Sequence, residues 1–246
     1  VAILEVSGIS MAFGGNRVLN EVSLDVHEGM VTGLIGPNGA GKTTLFNIIS
    51  GLLDPSGGRV VLGDRDVTRA GPAARARKGL SRTYQQLELF TSLSVRDNVR
   101  VAGEIRNAWG RRFRINVTAE TDRVMTLLGL DDVADREVAE LPTARARIIE
   151  VARALMTKPR VLLLDEPASG QTEAETADFG RLLGQLVAED GLAVCLVEHD
   201  VSLVMGVCET IHVLDYGQII ASGPPEKIRL EPAVIDAYLG STEGVT

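Results

Sequence analysis

The chain holds little that would tie it to oxidising surroundings, a bilayer or nucleic acid. Only two of its 246 residues are cysteine, Cys195 and Cys208. A disulfide framework is therefore not expected, which fits a reducing compartment. Cys195 lies inside the apolar run 192–197 and reads as a small buried hydrophobe. No apolar run approaches the ~18 residues of a membrane span. The N-terminus lacks the charged region and apolar stretch of a signal peptide. If the protein works at a membrane, partners are expected to hold it there. Positive charge is also short: 25 Lys and Arg face 33 Asp and Glu, a net charge of −8. That argues against a general nucleic-acid binder, whose footprint is basic. No internal repeat is visible.

What is present is an ordinary globular balance, 45% hydrophobic and 24% charged. The length suits one large domain or a core with a subdomain. Glycine-punctuated runs at 2–6 and 18–26 read as strands and turns. Residues 31–35 form an apolar strand ended by Gly36. Residues 42–50 read as a helix, with Gly51 placed to stop it. A strand at 60–62 and a short basic helix at 72–78 follow. From about Leu87 to Thr157 the pattern changes. Apolar residues recur at helical spacing in 94–101, 118–130 and 143–156, and Ile148, Val151, Ala152 and Leu155 share one face. Between the first two helices, 106–114 holds four arginines, Trp109 and Phe113. This segment is expected to be a mobile or partner-facing loop, with a solvated charge run as the plainer alternative. After Pro159, apolar strands at 161–164, 192–197, 211–214 and 218–221 alternate with helices at 173–188 and 201–207. A last helix spans 232–239, and 241–246 is expected to fray. Continuous apolar strands alternating with helices indicate a parallel sheet covered on both faces.

Gly36-Pro37-Asn38-Gly39-Ala40-Gly41-Lys42-Thr43 fits the pattern G-x4-G-K-[ST], directly after a strand and before a helix. The glycines permit backbone angles closed to other residues, so successive N–H groups can point at phosphate oxygens. The helix beginning near Lys42 adds its positive dipole end. Lys42 has the reach for the β- and γ-phosphates, and the Thr43 hydroxyl suits Mg²⁺. The loop from Gly36 to Thr44 therefore reads as a binding site for the phosphates of Mg-ATP.

A loop alone binds and does not hydrolyse. The apolar strand 161–164 ends in Asp165-Glu166-Pro167. Asp165 is placed to hold Mg²⁺ through a water, and Glu166 to accept a proton from an attacking water. Glu198-His199-Asp200 follows another buried strand. His199 is a candidate for contact with the γ-phosphate and the water, since parallel sheets bind ligands beyond the carboxyl ends of their strands.

This set, in this order, resembles the ATP-binding subunit of ABC transporters over essentially the whole chain. The resemblance implies an α/β fold: a RecA-like P-loop core with a mixed sheet, an N-terminal antiparallel β subdomain and an inserted helical subdomain. Residues 1–86 and 158–246 would form the core, and about 87–157 the helical part. It implies that Phe13 stacks on adenine. It also implies that Gln85, in Arg82-Thr83-Tyr84-Gln85, senses Mg²⁺ and contacts the membrane subunit. Arg82-Thr-Tyr-Gln85, Ile149-Glu-Val-Ala-Arg-Ala-Leu155, Val197-Glu-His-Asp200 and the ending Gly223-Pro-Pro-Glu-Lys-Ile…Ala237-Tyr-Leu-Gly240 look like ATPases of branched-chain or other hydrophobic amino-acid importers. ATPases of lipopolysaccharide exporters and urea importers look similar. The implied partners are integral membrane permeases, a second ATPase chain and, indirectly, an external solute-binding protein. The implied place is peripheral, at the cytoplasmic face of the cell membrane.

In that family each ATP lies between the P-loop of one subunit and an LSGGQ-type signature of the other. Here the matching stretch is Leu141-Pro142-Thr143-Ala144-Arg145. The serine and both glycines are gone. Thr143 keeps a hydroxyl, Ala144 stands where the amino-acid importer group keeps a glycine, and Arg145 brings a charge. The family's Asp or Asn is replaced by Thr172, and an apolar neighbour by Gln171. The residues serving this chain's own ATP are thus kept, whereas those serving a partner's ATP are altered. An asymmetric heterodimer is one expectation, and compensation by Thr143 and Arg145 the other. Competing functions are a soluble ABC ATPase not coupled to transport, a weakly catalytic nucleotide-binding subunit, and a small-molecule P-loop kinase. The last would leave Glu166 and His199 without a task.

Overall fold

A computed structural model describes residues 1–239; the stretch 241–246 lies outside the described residues. The strands in chain order are β1 (Ala2–Phe13), β2 (Asn16–His27), β3 (Val31–Ile35), β4 (Gly57–Leu62), β5 (Arg65–Asp66), β6 (Leu80–Arg82), β7 (Val161–Asp165), β8 (Ala193–Val197), β9 (Thr210–Asp215) and β10 (Gln218–Gly223). The helices are α1 (Lys42–Ser50), α2 (Pro72–Ala76), α3 (Val95–Ala108), α4 (Val117–Leu127), α5 (Thr143–Leu155), α6 (Glu173–Asp190), α7 (Val201–Val207), α8 (Pro225–Ile228) and α9 (Pro232–Leu239).

Six strands form one sheet in the order β10-β9-β3-β8-β7-β6. β9, β3, β8, β7 and β6 run parallel, and β10 is antiparallel to β9. Every residue of β3, β7 and β8 is buried, as expected of strands covered on both faces. A second, antiparallel sheet has the order β2-β1-β4-β5. One core joins the two sheets around α1, through Leu45, Phe46, Ile48 and Ile49. The other joins the opposite face of the parallel sheet to α3–α7. Cys195 sits fully inside the first, as its apolar run requires. Burial pushes its thiol pKa up.

Helix α1 has the bounds its pattern predicts. Gly51 closes it in the left-handed conformation, φ 84°, donating to Asn47 O and Ile48 O. The remaining carbonyls at that end meet a cation. Arg75 of α2, fully buried, donates to Ile48 O and Ile49 O at 2.6 Å each, to Ala70 O at 2.7 Å and to Thr68 O at 2.9 Å. It thus satisfies acceptors that a helix end otherwise leaves unpaired.

The basic segment 106–114 is not a loop throughout. α3 runs on to Ala108, and Arg111–Phe113 is a single tight helical turn. Val99, Ala102 and Gly103 give α3 a buried face. Arg106 is anchored by the Thr157 carbonyl and stacks 5.7 Å from the Phe113 ring. Trp109 and Phe113 meet edge to face, with centroids 5.6 Å apart. The Phe113 ring meets the guanidinium groups of Arg106 and Arg112, which accommodates this charge beside the end of the helix.

Candidate active site

The loop after β3 lies at the carboxyl end of the parallel sheet's third strand. Its glycines have defined tasks. Gly36 (φ +152°) lies so close to β9 that a Cβ there would fall 1.9 Å from Leu214 O. At Gly41 (φ +109°) a Cβ would meet Leu19 Cδ2 at 2.7 Å and Val18 O at 3.1 Å. The loop is therefore moulded between β9 and β2. Pro37, Asn38 and Gly39 span the bend, and Ala40 is buried. Ala40 O accepts from Gly217 N at 3.0 Å, which fixes the loop to the β9–β10 turn.

Lys42 begins α1 and is 7% exposed. Its Nζ donates to Gly36 O at 2.6 Å and Pro37 O at 2.9 Å. Burial lowers its pKa, while the charges of Glu166 and Asp165 act to raise it. Those two carboxylates thus share the field of this ammonium. Thr43 is exposed on the first turn of α1, and Thr44 is half-buried beside it.

Asp165 ends β7 and is 2% exposed; the Arg82 guanidinium, 4% exposed, holds its Oδ2 at 2.8 Å. Arg82 also reaches Asn47 Oδ1 at 2.7 Å and Ser50 Oγ at 3.1 Å, and lies between the rings of Phe46 and Tyr84. One buried cation thereby ties β7, α1 and the segment leading to Gln85. In sequence Arg82 stands only as one residue of the run Arg82-Thr83-Tyr84-Gln85. Its partner is 83 positions away, so no local spacing could reveal the pair.

Glu166 occupies the next position in the left-handed region, φ 51°. Its N–H donates to Val197 O at 2.9 Å. Oε1 lies 2.8 Å from His199 Nε2, and Oε2 accepts from Gln85 Nε2 at 3.3 Å. The structure thus brings Glu166, His199 and Gln85 together from the ends of three strands. Glu198 supports this meeting. It is buried, and its two oxygens accept from Ala168 N at 2.7 Å and His199 N at 3.1 Å, pinning the loops after β7 and β8 together. Burial raises its pKa.

Phe13 is half-exposed at the end of β1, paired with Asn16. Further along the same hairpin, Val18 and Leu19 are the residues that pack on Gly41. The other predicted group stands apart. Thr143 is exposed at the start of α5, and Pro142 offers no side-chain cap. Ala144 is buried, so its methyl packs within this chain. Arg145 donates to Gly129 O at 2.7 Å and meets Asp132 Oδ2 at 3.3 Å. Its charge is engaged inside its own subunit. Thr172 caps α6, exchanging hydrogen bonds with Glu175.

The residues expected to hold a metal, Thr43, Asp165 and Gln85, all offer oxygen donors. Such hard donors, few in number, suit Mg²⁺ that retains waters and shares phosphate oxygens. Among the described residues no cluster of three His, Cys, Asp or Glu could cage an ion unaided. The donor set therefore fits a metal that arrives with a triphosphate.

Known proteins match this arrangement. A family model described as ABC transporter covers residues 19–169, and one described as branched-chain amino acid ATP-binding cassette transporter covers residues 218–243. The high-affinity branched-chain amino acid transport ATP-binding protein BraF of Pseudomonas aeruginosa is 39% identical over 249 residues, 97% of this chain and 98% of its own length. The lipopolysaccharide export system ATP-binding protein LptB of Escherichia coli is 33% identical over 240 residues, 98% of each. Among solved structures, the ADP conformation of an ATP-binding cassette of an ABC transporter superposes with a TM-score of 0.86 at 29% identity, covering 98% of this chain and 99% of that one. Among the described residues no helix is long and apolar enough to cross a membrane. With a phosphate loop, an acid–histidine pair and this coverage, the chain belongs to the ABC transporter family as an ATP-binding, ATP-hydrolysing subunit.

Proposed function

We propose that this subunit drives uptake of branched-chain or other hydrophobic amino acids through separate permease subunits, at the cytoplasmic face of the membrane. An external solute-binding protein would deliver the solute. The likeness to BraF and the match over residues 218–243 favour this substrate class over lipopolysaccharide export. Residues 1–86 and 158–246 act as the nucleotide-binding core, and 87–157 as the helical part that meets the permease.

One observation supports the chemistry most: Glu166 lies 2.8 Å from His199 and 3.3 Å from Gln85, beyond the carboxyl ends of the strands. The loop Gly36–Thr44 receives the phosphates through its amides and the α1 N-terminus. Lys42 exchanges the carbonyls of Gly36 and Pro37 for the β- and γ-phosphates. Phe13 stacks on adenine. Glu166 takes a proton from the attacking water, and His199 orients that water and the γ-phosphate. Thr43, Asp165 and Gln85 would hold Mg²⁺, which supplies charge neutralisation when bound. Arg82 holds Asp165 Oδ2 at 2.8 Å and leaves its other oxygen for that task.

A second ATPase chain completes the site. Binding draws the two subunits together, hydrolysis releases them, and the motion passes through Gln85 and the helical part. The partner's ATP would meet Thr143, Ala144 and Arg145. Losing amide donors at a developing charge costs on the order of 10²–10³ in rate, so a heterodimer with a full-signature partner would have unequal sites. The test is Glu166→Gln here and, separately, the equivalent change in the partner, within the assembled transporter. A larger loss from the change in this chain is expected; equal losses refute inequality. Co-purification with integral membrane proteins supports the transport reading, and recovery with ribosomes or DNA rejects it.

A further inference from the structure

Between β6 and α3 the chain passes through residues 84–89, which belong to no strand or helix. Among the described residues, every hydrogen bond made by the backbone of this segment goes to a side chain of α5. Arg147 Nη1 donates to Tyr84 O at 2.8 Å, and Nη2 donates to Gln85 O. Glu150 Oε1 accepts from Glu88 N at 2.8 Å, and Arg153 donates to Glu88 O. These three residues recur at intervals of three along α5 and so lie on one face. Arg147 and Glu150 are buried and paired with each other at 3.3 Å. Arg153 packs over the Phe90 ring at 5.2 Å.

Thr83 is fixed to β7 and Phe90 to α3, and between them the conformation of 84–89 is set by α5 and not by a ladder of its own. A backbone held only by side chains from one rigid element must follow that element or lose its bonds. Gln85 sits within this held stretch, and its side chain reaches Glu166. At its other end, α5 begins at Thr143. A continuous chain of contacts thus runs from the N-terminus of α5 through Arg147, the carbonyls of Tyr84 and Gln85, and the Gln85 amide to the acid–histidine pair.

We propose that Arg147 is a positioning residue that makes the seating of Gln85 on Glu166 depend on what occupies the N-terminal end of α5. This rests on the reading above that a partner's ATP lies at that end. When the partner's nucleotide draws α5 inward, the two-pronged guanidinium carries the backbone of 84–85 with it. One site's hydrolytic readiness then reports the other's occupancy. Arg147 touches no nucleotide; it acts through Gln85.

The test uses the assembled transporter with three variants of this chain: Arg147→Met, Arg147→Lys and Thr143→Glu. Arg147→Met is expected to lower kcat about 10-fold with KM for ATP within about 2-fold. Arg147→Lys, which keeps the charge and loses the fork, is expected to recover part of that loss. ATP affinity of the isolated chain, read by fluorescence titration, stays within about 2-fold of wild type for both. An unchanged kcat overturns the proposal. So does a parallel loss of ATP affinity in the isolated chain, which would mean local damage to the fold. Thr143→Glu places a carboxylate on an exposed first helical turn, where it suits the helix but repels a phosphate. It should lower kcat, and the double variant Thr143→Glu/Arg147→Met should lose less than the product of the two single losses. Multiplicative losses overturn the coupling. If Thr143→Glu alone has no effect while Arg147→Met retains its own, the partner-contact reading is the part that fails.

Discussion

Two helix N-termini in this chain face the same kind of ligand in the proposed assembly, and they are built differently. At α1 the approach is made by glycines, and Gly36 and Gly41 fit where any Cβ would collide with Leu214 O or Leu19. The backbone itself is the binding surface. At α5 the approach is Pro142 in an extended conformation, with no residue in a conformation reserved for glycine. There the exposed elements are a hydroxyl and the helix dipole, and Arg145 is engaged by Gly129 and Asp132. The cradle tolerates substitution least at Gly36, where a Cβ meets the fixed Leu214 carbonyl, and at Gly41, where it meets Leu19 and the Val18 carbonyl. A helix end without such contacts tolerates many. The contrast explains how one sequence can keep the first motif intact while the second drifts.

The comparison can be broken at either end, starting where the effect is largest. Gly36→Ala forces a side chain into Leu214 O, costing on the order of 3 kcal/mol. Titration with MgATP should show about a 100-fold or greater loss of affinity. Removing the brace at the far end of α1 comes next. Arg75→Met removes the donor to the Ile49, Ala70 and Thr68 carbonyls and leaves Ile48 O only its bond from Gly51, and urea unfolding should show a loss of about 3 kcal/mol. If ATP affinity of the folded variant is unchanged, the cradle is defined by its glycines and not by the helix behind it. At α5, Thr143→Gly strips the exposed side chain from the helix end and opens its amides. Turnover at the partner's site should rise about 10-fold; no rise would show that the existing end already suffices. Smallest is Arg145→Ala. Its ion pair with Asp132 is exposed on both sides, so thermal unfolding should shift by less than about 1 kcal/mol. A large loss of stability would mean that this contact organises the α4–α5 junction.

The first of these ends was legible in the sequence and the second only in part. The loop Gly36–Thr44 is local, and steric demands on glycine write themselves into consecutive positions. Asp165, Glu166 and His199 were legible because each follows a wholly apolar strand. The bounds of α1 follow from sequence to the residue, because Gly51 is a conformational stop rather than a preference. What stayed hidden depends on distance. Arg75, Arg82 and Arg147 look alike in sequence as polar residues near helices or strands. Their partners lie 27, 83 and 63 positions away, and only the fold brings these together. The segment 106–114 misled for a related reason. It reads as a loop, whereas α3 continues to Ala108; Arg111, Arg112 and Arg114 are exposed, as the solvated-run alternative has it, and only Arg106 turns in, to the distant Thr157 carbonyl. The fate of Ala144 was also invisible, since a methyl facing inward or outward is the same letter.

Glu166 holds a backbone conformation, φ 51°, that residues with a side chain of its kind seldom adopt, at a cost on the order of 1 kcal/mol. Asn or Gly would rest there more comfortably. A variant with either residue should thus melt at a higher temperature than the natural enzyme while hydrolysing almost nothing. Selection for thermal robustness alone would discard the carboxylate. In the proposed mechanism a carboxylate is needed at this strained position, which sets activity against stability at a single residue and makes Glu166 a site that stabilising substitutions must leave untouched.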